Sequence, residues 1–96
     1  VRGQRVAVEL RTTYFEDDLN DQNVLADLRG GDAAIADEVA MIGAHLDSWQ
    51  AGTGSTDNGC GSAVVIEAMR LVTAWCQKQG LRPRRTVRAA LWSGEE

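Results

Sequence analysis

An apolar run, a long amphipathic stretch and a second apolar run follow one another in the later two-thirds of the chain. Residues 39–44 and 86–92 have the length and composition of strands, and residues 62–79 carry a wide apolar face at helical spacing. Strand, helix and strand in this order form a βαβ unit, in which the strands run parallel through a right-handed crossover. We therefore predict an α/β fold, with helices on the faces of a mixed, mostly parallel sheet.

The continuous apolar character of residues 39–44 is typical of a strand that is covered on both faces. Upstream, residues 4–15 alternate between apolar and polar side chains, and residues 23–28 read as another strand. The polar link between these two segments is short, so we expect them to form a hairpin. Residues 32–38 read as a connection with a short helical turn, and residues 48–61 read as a glycine-rich loop.

Length and composition limit the functions that the chain can have. Ninety-six residues make one small domain, and a net charge of −4 without a basic block argues against nucleic acid as a partner. No apolar run approaches the ~18 residues that cross a bilayer, so no membrane span is expected. Cys60 lies near the start of the predicted helix and Cys76 lies within it, about 24 Å apart at 1.5 Å per residue, so both should be free thiols.

Side chains that bind metal ions follow the apolar runs. His45 and Asp47 come directly after the first run, Asp57 lies in the glycine-rich loop, and Glu95 and Glu96 follow the last run. The carboxyl ends of parallel strands meet at one edge of a sheet, where sites in open α/β sheets are found. The sequence therefore predicts a carboxylate-rich metal site at that edge.

Each of these residue types suits a different task in such a site. Zinc accepts imidazole nitrogen and carboxylate oxygen, and His45 is the only histidine. Asp47 lies where it can accept the second ring N–H of His45, and Asp57, which has glycines nearby, is a candidate to bridge two ions. Glu95 and Glu96 are adjacent and point in different directions, so one can bind metal while the other takes a proton from water.

Taken singly, these motifs have simpler explanations. A His-x-Asp pair is more often a structural hydrogen bond at the end of a strand, and adjacent glutamates are usually solvated. Asp-Asn-Gly is also a turn signal. All three motifs follow buried segments in this chain, and that coincidence favours the metal site. Trp49 can either line a substrate cleft or anchor its loop.

Three segments resemble the zinc peptidases of the M28 family. They are Gly-Ala-His-Leu-Asp-Ser-Trp at 43–49, Gly-Ser-Thr-Asp-Asn-Gly at 54–59 and Leu-Trp-Ser-Gly-Glu-Glu at 91–96. Members of this family are co-catalytic two-zinc aminopeptidases and their relatives. The sequences of the first and third segments are most similar to the branch of plasma glutamate carboxypeptidase (carboxypeptidase Q). The resemblance runs from about residue 39 to residue 96.

The resemblance implies a role for each candidate residue. His45 would bind the first of two Zn²⁺ ions, Asp57 would bridge both ions, and Glu96 would bind the second. Glu95 would be the general base and Asp47 would hold His45. The family also implies a cis peptide bond between Asp57 and Asn58, and a three-layer α/β/α domain.

The family completes its site with a further aspartate and a further histidine downstream of the two glutamates. By this likeness, residues 1–96 are expected to be a single partial domain, the N-terminal portion of a catalytic domain, and inactive alone. The implied activity is zinc-dependent aminopeptidase cleavage of a peptide or dipeptide substrate, in a secreted or periplasmic protein. The alternatives are a dipeptidase or glutamate carboxypeptidase of the same family, a single-zinc glutaminyl cyclase, and a non-catalytic receptor-type homologue.

Overall fold

A computed structural model describes residues 3–96 of the chain, and residues 1 and 2 lie outside it. These residues form a three-stranded sheet covered on one face by a long helix. The elements are β1 (Val24–Leu28), β2 (Val39–His45), a helical turn (Ser55–Cys60), α1 (Gly61–Gln79) and β3 (Thr86–Trp92).

The sheet is mixed, and β3 lies at its centre in the order β1-β3-β2. β2 pairs with β3 in parallel, with His45 opposite Trp92, as a βαβ unit requires. β1 pairs with β3 in antiparallel orientation, with Ala26 opposite Ala89. A small mixed sheet with one helix is compatible with the predicted α/β class.

Helix α1 ends where a glycine takes a backbone conformation that other residues avoid. Gly80 has φ 64°, in the left-handed region, and its N–H bonds to the carbonyls of Cys76 and Gln77. The N–H of Leu81 also reaches the carbonyl of Cys76, at 2.9 Å. The predicted end of the helix is therefore confirmed. Both cysteines are free thiols, as expected.

The core is the contact between α1 and one face of the sheet. Val65 of the helix packs against Ala44 of β2 and Ala89 of β3, and the partly buried Met69 and Leu91 extend this cluster. The opposite face stays open among residues 3–96, where Met41 is 59% exposed. The expectation that residues 39–44 are covered on both faces is therefore wrong for this part of the chain.

The segment before β1 differs most from the expectation. Residues 4–15 form no strand and lie exposed, with Val8 79% and Phe15 84% accessible. The predicted hairpin is also absent from residues 3–96, because β1 pairs with β3 and not with the segment that precedes it. Alternation shows that a segment can pair, but an extended segment becomes a strand only beside a partner.

Short connections are fixed by polar contacts around the start of β3. Thr86 is buried; its hydroxyl donates to the carbonyl of Ala36 at 2.7 Å and accepts the N–H of Gly30 at 3.0 Å. Hydrogen bonds from Ile35 N–H to Asp32 and from Glu38 N–H to Ile35 make the expected turn in residues 32–38. The connection between β1 and β2 is thus held to the central strand.

The arginines near the start of β3 have acidic partners in the structure. Arg88 forms two hydrogen bonds of 2.7 Å with Asp27 of β1. In the same region, Arg84 pairs with Asp32 and Arg85 pairs with Glu38. These arginines hold the sheet and its connections together.

By length and composition alone, the helical stretch Ser55–Gln79 is long and apolar enough to cross a membrane, which we did not expect from the sequence. A helix that covers a sheet in a soluble protein passes the same test. Val65 of this stretch faces the sheet, and Glu67 and Arg70 form an ion pair on its surface. The finding is therefore weak evidence for a membrane span.

Candidate metal centre

The candidate site lies where the two parallel strands end. His45 is the last residue of β2 and lies opposite Trp92, the last residue of β3. The N–H of Leu46 donates to the carbonyl of Trp92 at 2.7 Å and continues the pairing by one residue. This register brings Glu95 and Glu96, which follow β3, to the same edge as His45.

The imidazole of His45 is largely enclosed, and its two nitrogens face different partners. Nδ1 lies 3.2 Å from Oδ1 of Asp47 and 3.2 Å from the Asp47 carbonyl oxygen. On the other side of the ring, Nε2 lies 3.1 Å from Oδ1 of Asp57 and 3.8 Å from Oε2 of Glu95. When Nδ1 carries the proton and donates to Asp47, the Nε2 lone pair is free to bind a metal ion.

The Asp47 carboxylate binds two parts of the site at once. While Oδ1 faces His45, Oδ2 accepts the backbone N–H groups of Glu95 at 2.9 Å and of Glu96 at 3.0 Å. The N–H of Glu96 makes the largest contribution to lowering the pKa of Asp47 below its usual range. Asp47 therefore stays ionised at neutral pH and joins the end of β2 to the segment after β3.

His45, Asp57 and Glu96 each offer one donor atom, and these atoms lie within 4.8 Å of one another. Zinc bonds to nitrogen and oxygen are about 2.0–2.2 Å long, so neighbouring donors on a tetrahedral ion lie roughly 3.3 Å apart. The 3.1 Å between Nε2 of His45 and Oδ1 of Asp57 is close to that separation. The donor types and their spacing thus fit zinc.

The electrostatics of the cluster favour a cation. Burial makes the largest contribution to raising the pKa of Glu96, and the negative charges of Asp57 and Glu95 raise it further. Burial lowers the pKa of His45, but the charge of Glu95 and the hydrogen bonds of Asp47 outweigh it, so that the net shift is upward. Neighbouring carboxylates contribute to both shifts, and a divalent ion would neutralise their negative charge.

The segment that carries Asp57 is shaped by glycines. Gly54 has φ 66°, and its carbonyl accepts the N–H of Gly59 at 2.7 Å. A side chain at Gly61 would collide with the amide group of Asn58. The peptide bond between Asp57 and Asn58 is cis, as the family resemblance implied. Part of the predicted loop 48–61 is a helical turn, Ser55–Cys60, which is broken at Asp57 and Asn58.

The structure brings all five predicted site residues to one place, and it adds two that we did not predict. The hydroxyl of Ser62 donates to the carbonyl of His45 at 3.0 Å and joins the start of α1 to the end of β2. Oδ1 of Asn23 accepts the N–H of Ser93 at 3.1 Å, just before the two glutamates. In both contacts a side chain bonds to a backbone group of the partner residue. A sequence motif does not indicate such contacts.

Comparisons with known proteins identify a peptidase family. The model of the family described as Peptidase family M28 matches residues 23–96. Carboxypeptidase Q of Xenopus laevis is 34% identical over 96 residues, which are 99% of this chain and 19% of that protein. Leupeptin-inactivating enzyme 1 of Streptomyces exfoliatus is 36% identical over 100% of this chain and 21% of its own length.

Leucine aminopeptidase 2 of Trichophyton equinum is 32% identical over 100% of this chain and 18% of its own length. No solved structure matches the chain significantly. The chain spans about a fifth of the length of the curated relatives it matches. The family model matches most of the chain, and the chain therefore belongs to peptidase family M28.

Proposed function

We propose that this chain supplies part of the active site of a zinc-dependent exopeptidase, an aminopeptidase that hydrolyses terminal peptide bonds. The observation that carries the proposal is the convergence of His45, Asp57 and Glu96, whose donor atoms lie within 4.8 Å of one another. The names of the relatives, which include an aminopeptidase and a carboxypeptidase, support peptide substrates.

Two zinc ions suit the donor set better than one. His45 would hold one ion, Glu96 would hold the other, and Asp57 would be shared by both. Asp47, Asp57, Glu95 and Glu96 together carry a formal charge of −4, which two divalent ions would balance. When bound, the ions would polarise the scissile carbonyl and lower the pKa of the attacking water.

Glu95 is the residue we propose as general base. Its Oε2 lies 3.8 Å from Nε2 of His45, beside the donor cluster. From there the carboxylate can take a proton from the attacking water and return it to the leaving amine. Asp47 accepts the N–H groups of Glu95 and Glu96, so it orients the base and the ligand together.

We also propose that residues 1–96 are one part of a larger three-layer α/β/α domain. The open face of the sheet supports this view, because exposed apolar residues such as Met41 and Leu25 need a covering layer. The relatives are about five times longer than the chain. Catalytic zinc usually has three protein ligands. The remaining ligands would come from outside this segment, and we expect the segment alone to be inactive.

Carboxypeptidase or dipeptidase activity is the second candidate. Several relatives of 34–37% identity are named carboxypeptidase Q, and they align over nearly the whole chain. The two activities can be distinguished by giving the full-length protein peptides that are blocked at either the amino end or the carboxyl end. An aminopeptidase fails on the N-acetylated peptide, and a carboxypeptidase fails on the C-amidated one.

The adjacent glutamates allow a matched test of the proposed mechanism in the full-length protein. Glu95→Gln should retain the zinc content of the wild type and lose about 10²–10⁴-fold in kcat, since it removes only the base. Glu96→Gln should lose zinc as well as activity. Metal analysis and steady-state peptide hydrolysis measure both effects.

Glu67→Gln is the control, because Glu67 lies on the exposed surface of α1 and pairs with Arg70. It should keep both zinc and activity. A Glu95→Gln protein that turns over at near the wild-type rate would refute the assignment of the base.

A further inference from the structure

Asn23 lies directly before β1, and its side chain reaches the backbone that follows the central strand. The pairing of β1 with β3 begins at Val24, opposite Leu91. Oδ1 of Asn23 accepts the N–H of Ser93 at 3.1 Å, two residues beyond that paired position. We propose that Asn23 is a positioning residue: it fixes the backbone that carries the proposed general base, Glu95. This role rests on the proposed function, because Asn23 acts through Glu95.

The backbone after β3 is held on both sides of a bend. Before the bend, the N–H of Ser93 is bound by Asn23. After it, the N–H of Glu95 is bound by Oδ2 of Asp47 at 2.9 Å. Gly94 forms the bend with φ 81°, a left-handed conformation that glycine adopts without steric cost. The direction in which the chain leaves the bend therefore depends on the contacts on either side of it.

The two contacts come from opposite sides of the central strand. The strand order is β1-β3-β2, so Asn23 approaches from the β1 side and Asp47 from the β2 side. The other oxygen of Asp47 lies 3.2 Å from Nδ1 of His45, which fixes this carboxylate at the end of β2. One contact alone leaves the segment free to rotate about it, and two contacts define its direction. Loss of the Asn23 contact would leave Glu95 held at its N–H but less well oriented.

The two glutamates differ in how much they depend on this orientation. In the proposed site, Glu96 binds an ion, and that bond keeps its carboxylate in place when the backbone is looser. Glu95 binds no ion, so its carboxylate is placed by its own backbone. A general base must lie within about 2.6–3.2 Å of the group whose proton it takes, and a small displacement therefore slows the reaction. Loss of the Asn23 contact should lower kcat and leave zinc affinity nearly unchanged.

Asn23→Leu in the full-length protein removes the acceptor and keeps a side chain of similar size. It should lower kcat for unblocked tripeptides about 3–10-fold, the usual effect of one neutral hydrogen bond. The KM and the zinc affinity, measured by chelator competition, should stay near the wild-type values. Asn23→Asp retains an Oδ1 acceptor and should keep most of the wild-type rate.

Asn20→Leu is the matched control. Asn20 is exposed, and among residues 3–96 its side chain bonds only to Asp18. The same substitution at this position should leave kcat, KM and zinc affinity at the wild-type values.

A double-mutant cycle with Glu95→Gln tests whether Asn23 acts through the base. In the Glu95→Gln background, Asn23→Leu should have almost no further effect on kcat, because the group that it positions is already absent. An equal loss of kcat in both backgrounds overturns the role, since Asn23 would then support the fold in general. Equal losses in Asn23→Leu and Asn23→Asp overturn it too. The same holds for a loss of kcat that only follows a loss of folded protein, measured by circular dichroism.

Failure of the proposed function gives a different result. A wild-type protein that hydrolyses no unblocked tripeptide, or a Glu95→Gln variant with near wild-type turnover, overturns the proposed function first and the role of Asn23 with it. When Glu95→Gln loses its activity as expected and Asn23→Leu keeps the wild-type kcat, the role of Asn23 alone is overturned.

Discussion

Among the individual residues, Asp47 has the widest influence on the candidate site. One of its oxygens lies beside Nδ1 of His45, and the other accepts the backbone N–H groups of Glu95 and Glu96. A change at this carboxylate would alter the tautomer of the imidazole and release the segment after β3 at the same time. Its effect on metal binding should therefore be large for a residue that is not itself a ligand.

We predict that Asp47→Ala weakens zinc binding by the full-length protein about 10–100-fold, the usual cost of removing a partner of a metal-binding histidine. Competition with a chelator of known affinity measures the change. Asp37→Ala is the control, because the Asp37 side chain is 94% exposed and its contact with Arg29, at 3.4 Å, is long and weak. Equal zinc affinity in the two variants would show that Asp47 does not support the site.

The residue types of the candidate site could be predicted from the sequence, but some of its hydrogen bonds could not. His45, Asp57 and the two glutamates were candidates because they lie at the ends of the apolar runs or in the loop between them. The family resemblance then implied separate roles for Glu95 and Glu96. The contact of Asp47 with His45 was expected from their spacing. Its second contact, with the N–H groups of Glu95 and Glu96, links residues 48 and 49 positions apart. Every residue except proline offers such an N–H, so no side-chain pattern indicates which one is used.

At the scale of the elements, β3 organises the sheet because both other strands pair with it. Its Arg88 forms two hydrogen bonds with Asp27 of β1, directly opposite in the register. The hydrogen bonds from Arg88 are the main cause that lowers the pKa of Asp27 below its usual value of 3.8. Asp27 and Arg88 therefore connect β1 to the centre of the sheet through charge as well as through backbone pairing.

This pair predicts a pH-dependent contribution to stability. Because folding lowers the pKa of Asp27, the contribution is complete above the unfolded pKa and is lost as the pH falls through the lower, folded pKa. Asp27→Asn should lower the urea midpoint of the full-length protein at pH 7, and the difference from the wild type should vanish at low pH, well under 3.8. Urea unfolding at a series of pH values measures this.

Asp17→Asn is the matched control, because Asp17 is exposed and belongs to no ion pair among residues 3–96. It should leave the urea midpoint unchanged at every pH. A difference between Asp27→Asn and the wild type that persists below the pKa of Asp27 would contradict the ionic origin of the effect.

The elements whose signals are local were predicted well. The periodicity of α1 and its end at residue 79 depend on near neighbours, and both predictions were confirmed. The parallel pairing of β2 and β3 follows from the helix between them. The prediction for residues 4–15 was wrong because strand formation needs a partner far away in the sequence. β1 pairs with β3 across 59 to 67 residues, which no alternating pattern can specify.

The whole molecule has a small core for its length. The buried apolar residues among positions 3–96 are Ala44, Val65, Cys76, Ala89 and Ala90, which all have small or medium side chains. Complete burial of a large aliphatic or aromatic side chain contributes about 1.5–3 kcal/mol, and no large side chain in the described residues is fully buried. Trp75, Leu71 and Met41 remain more than half exposed.

We predict that residues 1–96, produced alone, melt without a sharp cooperative transition and bind the dye ANS, which reports exposed apolar surface. The full-length protein should melt cooperatively and bind little dye. Thermal circular dichroism and dye fluorescence under the same conditions measure both properties. A sharp transition and weak dye binding by the isolated segment would mean that its small core is sufficient.

The pairing of His45 with Trp92 has a consequence for how the domain can vary in size. All five site residues end or follow two neighbouring strands or lie in the connection between them, and the outer borders of β1 and β2 are unpaired within residues 3–96. Strands added at those borders would leave the positions of these five residues unchanged. Protein engineers should therefore be able to extend the sheet at either border without moving the candidate centre.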